Sequence, residues 1–213
     1  DNRITKSKDY DKIAGSEALF DRMIQDLEIP VLQKVTHYVR SGIRANHALQ
    51  TDQENGITVK LATYSDMEEH IRITKGKMCS SQISDRTIEV IVSRRTFVEQ
   101  KLMLGEELEL NGLKNADGEP YRIRITGIFE NSEERDPYWI NSPAVLRDMF
   151  FVEESLFYKL FFNENRIEDG INIDRYAILD YTQMKGGQVE GYMSTLEEYR
   201  LTFEEMGQKE VKG

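Results

Sequence analysis

From Tyr121 to Phe129 the chain alternates with a period of two. Tyr121, Ile123 and Ile125 fall on one face, the pattern of a β-strand with one buried side. Gly127 interrupts that pattern late, which predicts a bulge or a close approach of another backbone. Upstream, Thr87–Val92 is a β-branched run that reads as a strand. Ser93 then opens a helix whose Phe97, Lys101, Leu102 and Leu104 lead into Gly105, a residue suited to the left-handed conformation that ends helices. Glu107–Leu110 alternates again, and Asn111-Gly112 and Asp117-Gly118 are turn signals.

Larger elements flank this segment. Leu19, Phe20, Met23, Ile24 and Leu27 recur at helical spacing, predicting a helix over 16–27 with Ser16 as N-cap and Pro30 just past its end. Val31–Val39 and Ile57–Thr63 read as strands, joined through the polar turn residues Asp52–Gly56 into an antiparallel pair. A short helix is expected over Ser65–His70. Ser142-Pro143 predicts a short helix through Met149, Leu156–Phe162 an apolar strand, and Tyr176–Tyr181 a final strand. Past Gly186-Gly187, a helix over 189–206 carries Tyr192, Leu196, Tyr199 and Phe203 on one stripe. The fold class is α+β, with strands in excess of helices.

Composition narrows the function. The 213 residues carry 28 Lys+Arg against 38 Asp+Glu, a formal charge of −10 with no basic block. Nucleic acid and anionic bilayers both demand clustered positive charge, so neither is expected as the main partner. One cysteine, Cys79, supplies neither an internal disulfide nor a four-ligand zinc site, and it reads as inert core. No apolar run approaches the length of a membrane-spanning helix. With neither an initiator Met nor a signal-peptide core at Asp1–Lys6, the chain reads as starting inside a longer protein.

Catalytic patterns are not found. There is no Gly-x-Ser-x-Gly, and His37, His47 and His70 match no helical ligand pair. These histidines read as surface or strand-end residues rather than bases or metal ligands. Lys75-Gly76-Lys77-Met78 lacks the remaining residues of a phosphate-binding loop, and Gly186–Gly191 departs from the dinucleotide fingerprint; both read as turns. The adjacent pairs Glu133-Glu134, Glu153-Glu154, Glu197-Glu198 and Glu204-Glu205 read as solvated faces. Asn163–Gly170 does not keep the ligand order of an EF-hand, so a solvated loop is expected over calcium. Tyr138 and Trp139, beside Pro137, admit two readings. They are a contact surface for a partner or ligand, or a hydrophobic plug beneath the Ser142 helix, and packing favours the plug.

The order of motifs from Gly76 to Pro143 is the most informative feature. Lys75-Gly76-Lys77 precedes an acidic turn, then Val90-Ile91-Val92-Ser93, then a helix into Leu102-Met103-Leu104-Gly105-Glu106-Glu107-Leu108-Glu109-Leu110, then a strand closing on Gly127-Ile128-Phe129. This succession resembles the extracytoplasmic domain of MacB/FtsX-type ABC transporter permeases. Those carry a Gly-Arg turn, a Val-Ile-Val-Ser strand, a Leu-x-x-Gly-Asp-x-Ile-x-Leu helix exit and a strand ending Val-x-Gly-Ile. Lys77 stands for the usual Arg, Glu106 for the usual Asp, and Lys114–Pro120 lengthens a loop. The match covers about a third of the chain.

The resemblance implies a membrane-proximal α/β lobe, residues 1–79 and 142–213, with a small β-rich lobe, 80–141, inserted into it. Gly76, Gly105 and Gly127 become structural turns. The implied function is non-catalytic, without cofactor or metal: a domain on the extracytoplasmic side of the cell membrane that engages a substrate or partner protein. It would move with the transmembrane part of the same permease, driven indirectly by a cytoplasmic ATP-binding subunit. The competing reading is a stand-alone ligand-binding protein or enzyme.

Overall fold

The computed structural model describes residues 3–4, 9–47, 56–163, 166–167 and 170–208. The elements run β1 Arg3–Ile4, α1 Asp9–Asp26, β2 Val31–His47, β3 Ile57–Tyr64, β4 Ile71–Gly76, β5 Thr87–Ser93, α2 Arg94–Glu99, β6 Glu107–Lys114 and β7 Pro120–Asn131. They continue with β8 Met149–Phe151, α3 Glu154–Phe161, β9 Phe162–Asn163, β10 Arg166–Ile167, β11 Ile171–Leu179 and α4 Val189–Gln208. The fold is α+β, as the sequence predicts.

Strand pairing closes on itself. β2 pairs antiparallel with β3, β3 parallel with β8, β8 antiparallel with β5, β5 parallel with β7, and β7 antiparallel with β6. β6 returns to the far end of β2, with Arg44 opposite Asn111 and His47 opposite Leu108. Six strands thus form a barrel, which removes the exposed edges an open sheet would present. Three further strands of the same sheet lie outside the ring, β11 along the first part of β2, β1 beyond it and β4 along the last part of β7, while β9 and β10 pair as a separate two-stranded sheet. Strands of the 80–141 segment (β5, β6, β7) and strands flanking it (β2, β3, β8) share the ring.

The period-two pattern sorts side chains to the two sides of this wall. Val59, Leu61, Ile88, Val90, Ile123 and Ile125 point inward and are fully buried in one core, with Phe157 and Phe161 of α3 packed against them. Ile91, Ala62, Phe129 and Phe151 point outward and form a second core, covered by Tyr138 and Leu146 of the long loop after β7. In β2 the register shifts between Arg40 and Ile43, where Gly42 has φ +78°. That shift lets Val35 and Val39 serve the outer core while Ile43 and Ala45 serve the inner one.

Several local expectations need correction. Ser16 lies inside α1, its hydroxyl donating to the Ile13 carbonyl, because the helix begins a full two turns earlier. The run expected as a strand at Leu156–Phe162 is mostly helix α3. The Glu153 carboxylate caps it by accepting from the Leu156 amide at 2.9 Å, and Phe157 and Phe161 share one face at i,i+4. Ser142 and Pro143 do start a helical turn, but it is a 3₁₀ turn ending at Val145, and Met149 is already strand. Helix α2 stops at Glu99, so Gly105 does not end it. Lys75 and Gly76 belong to β4 rather than to a free turn. Asp52–Asn55, and Glu164, Asn165, Glu168 and Asp169 of the Asn163–Gly170 segment, lie outside the described residues.

Candidate functional site

The motif glycines are structural in the way their chemistry allows. Gly76 and Gly127 face each other across β4 and β7. A methyl group on Gly127 would lie 2.3 Å from the Lys77 carbonyl oxygen, and one on Gly76 would lie 2.0 Å from the Thr126 carbonyl oxygen. The Lys77 amide uses this closeness to donate to Thr126 at 2.9 Å. The Lys77 ammonium in turn meets Glu89 of β5 at 2.8 Å. Gly105, at φ +83°, turns the chain after α2 so that its amide donates to Ile125 at 2.7 Å and starts the β6 pairing.

Tyr138 lies inside the outer core. Its ring is fully buried, its hydroxyl donates to the Ser65 carbonyl at 2.8 Å, and it stacks on His70 at 3.9 Å between ring centroids. Trp139 is half-buried against Phe129 and Tyr64, its indole donating to the His70 carbonyl at 3.1 Å. Packing and a satisfied hydroxyl offset the desolvation of the Tyr138 side chain.

Each histidine is held by a structural partner. His70 contacts Asp136 Oδ2 at 2.7 Å through Nδ1 and Gln33 at 2.8 Å through Nε2, so both ring nitrogens are engaged. His47 pairs with Glu106 at 2.6 Å, tying the end of β2 to the turn after Gly105. His37 is buried and stacked on Tyr64 at 3.5 Å, and burial lowers its imidazole to about 4. Burial likewise pushes the thiol of Cys79, half-buried against the outer core, up to about 12. Among the described residues, no group of three or more His, Cys, Asp or Glu is placed to hold a metal ion.

Three concavities stand out among the described residues. A groove of about 530 Å³ runs between α2 and the 143–145 turn, edged by Arg94, Glu99 and Glu130, with Val98 exposed on its flank. A pocket of about 320 Å³ has an apolar base at Met67, Ile91 and Phe151 and an acidic mouth at Asp66, Glu68 and Glu154. Burial, with Asp66 and Glu153 nearby, raises the Glu154 carboxyl. The third, of about 280 Å³, lies where α1, α4 and β11 meet.

The two long helices pack side by side. The Tyr199 hydroxyl of α4 bonds Asp26 at the end of α1, whereas a methyl group on Gly15, in the first half of α1, would meet Met206 near the end of α4 at 3.8 Å. The helices are therefore antiparallel. Of the α4 stripe, Tyr199 is buried, Tyr192 and Phe203 are half-buried, and Leu196 is exposed. No described helix is long and apolar enough to cross a membrane.

A closed six-stranded barrel flanked by an antiparallel helix pair defines the class of domain. Among solved structures, the chain is similar to a domain assigned to a permease protein of Porphyromonas gingivalis (12% identity, TM-score 0.41, covering 84% of this chain and 68% of that one). It is also similar to the periplasmic region of MacB from Actinobacillus actinomycetemcomitans (13%, TM-score 0.41, 92% and 74%). A third likeness is to the extracellular domain of the noncanonic ABC-type transporter YknZ from Gram-positive bacteria (15%, TM-score 0.38, 81% and 76%). No protein-family model and no curated protein matches the chain.

Proposed function

We propose that the chain is the non-catalytic extracytoplasmic domain of a MacB/FtsX-type ABC transporter permease. In this role it engages a substrate or partner protein outside the cell and moves with transmembrane helices driven by a separate cytoplasmic ATPase. The observation that carries this reading is the antiparallel α1–α4 pair, which brings the first half of the first long helix beside the end of the last one. An insertion between two membrane helices needs such an arrangement, since packed helices sit only ~8–10 Å apart. The ordered motifs from Gly76 to Gly127 support it. Their glycines stand where close backbone approach or a left-handed turn is required, so the matching positions carry structural work rather than chance composition. On this reading residues 80–141 form the part furthest from the bilayer, and 1–79 with 142–213 the membrane-proximal part.

Fractionation of cells expressing the natural full-length gene tests the reading. The domain should sediment with membranes and be cleaved by protease added outside intact spheroplasts. Recovery in the soluble cytosolic fraction, protected from external protease, would refute it.

A further inference from the structure

We infer that the cleft between α1, α4 and β11 is a binding site for a small organic anion with an apolar body, of the alkyl carboxylate class. Arg175 projects from β11 into this cleft, its side chain only 12% exposed. Its Nη1 donates to Ser16 Oγ at 3.3 Å. Its Nε and Nη2 are buried and find no hydrogen-bond partner among the described residues. The nearest carboxylate, Glu17, stands 3.7 Å from Nη2, too far for a hydrogen bond, and is itself 58% exposed.

A buried guanidinium is costly unless its donors are met, and its planar fork suits the two oxygens of a carboxylate. The cleft supplies the remainder of the chemistry. Phe20 of α1, Phe203 of α4 and Ile173 of β11 line it, so an anionic head on Arg175 would lay its tail against aromatic and aliphatic walls. At about 280 Å³ the space sits at the small end of ligand sites, which selects short ligands. Asp174 also borders the cleft, but alternation along β11 directs it to the opposite side of the sheet. There burial, then Tyr176 and then Asp174, raise the hydroxyl pKa of Tyr64, and burial followed by Asp174 raises that of Tyr176. Glu17 is therefore the carboxylate an anion must displace. The inference is independent of membrane attachment and is tested on the chain itself.

Calorimetric titration of the 213-residue chain with octanoate, and with octanol as the neutral analogue, provides the test. Octanoate should bind ~10-fold or more tighter than octanol, the margin one charge-assisted hydrogen bond supplies. Arg175→Gln should bring that ratio to about one, and Glu17→Gln should tighten octanoate while leaving octanol unchanged. Phe203→Ala keeps the guanidinium and should weaken both ligands alike, which covers the case of Arg175→Gln failing to fold. Equal binding of the two ligands to the unmodified chain, no octanoate binding, or a ratio untouched by Arg175→Gln would each overturn the inference. Glu17→Gln that lowers stability without altering octanoate affinity would equally overturn it, making Arg175 a partner of Glu17 alone.

Discussion

His37 shows how one buried residue sets the pH response of the fold. Its ring is stacked against Tyr64 with 13° between planes, and burial takes its imidazole from 6.5 to about 4. Between those values the unfolded chain holds a proton that the folded chain refuses. Stability is therefore lost as pH falls through that window and regained as it rises. The full effect is about 3 kcal/mol at the acid end. His37→Phe keeps a ring on Tyr64 and removes the proton. Denaturant midpoints at pH 7 and pH 4.5 should show the variant losing less stability on acidification than the parent. Equal acid losses in both would place the origin in other groups. Spacing in the sequence could not tell buried from exposed histidine, because burial here follows from the pairing of His37 with Asp174 and Tyr64 across two other strands.

Glycines set the geometry at the level of elements. Gly127 has an ordinary φ but no room, whereas Gly105 has a left-handed φ and open space around it. Alanine at Gly105 should cost ~1 kcal/mol, the penalty of the backbone conformation. At Gly127 it should cost ~3 kcal/mol, because the Lys77 carbonyl must shift and disturb the β4–β7 pairing. Thermal melts of the two variants give the order, and a larger loss at Gly105 would contradict it. The close approach at Gly127 was legible because a glycine on an alternating apolar face gives up packing area, a loss that strands accept where another backbone comes close. The 156–162 run was not, since seven residues that are apolar but for Tyr158 and Lys159 are too short a stretch to fix a period, and the helical state depends on the Glu153 cap and on packing against the inner core. Ring closure was also hidden. The β2–β6 pairing joins residues about sixty positions apart, and neither strand's pattern names its neighbour.

At the scale of the whole molecule, the proposed function has α1 and α4 leading toward a bilayer and the 80–141 segment facing away from it. Glu205, exposed near the end of α4, and Glu133, exposed in the loop after β7, mark the two expected extremes. In the natural full-length protein reconstituted in vesicles, with Cys79→Ser as background, a fluorophore on Glu205→Cys or Glu133→Cys can be exposed to a quencher carried on lipid headgroups. The account predicts strong quenching at position 205 and little at 133. Stronger quenching at 133 than at 205 would put the 80–141 segment against the membrane and contradict it.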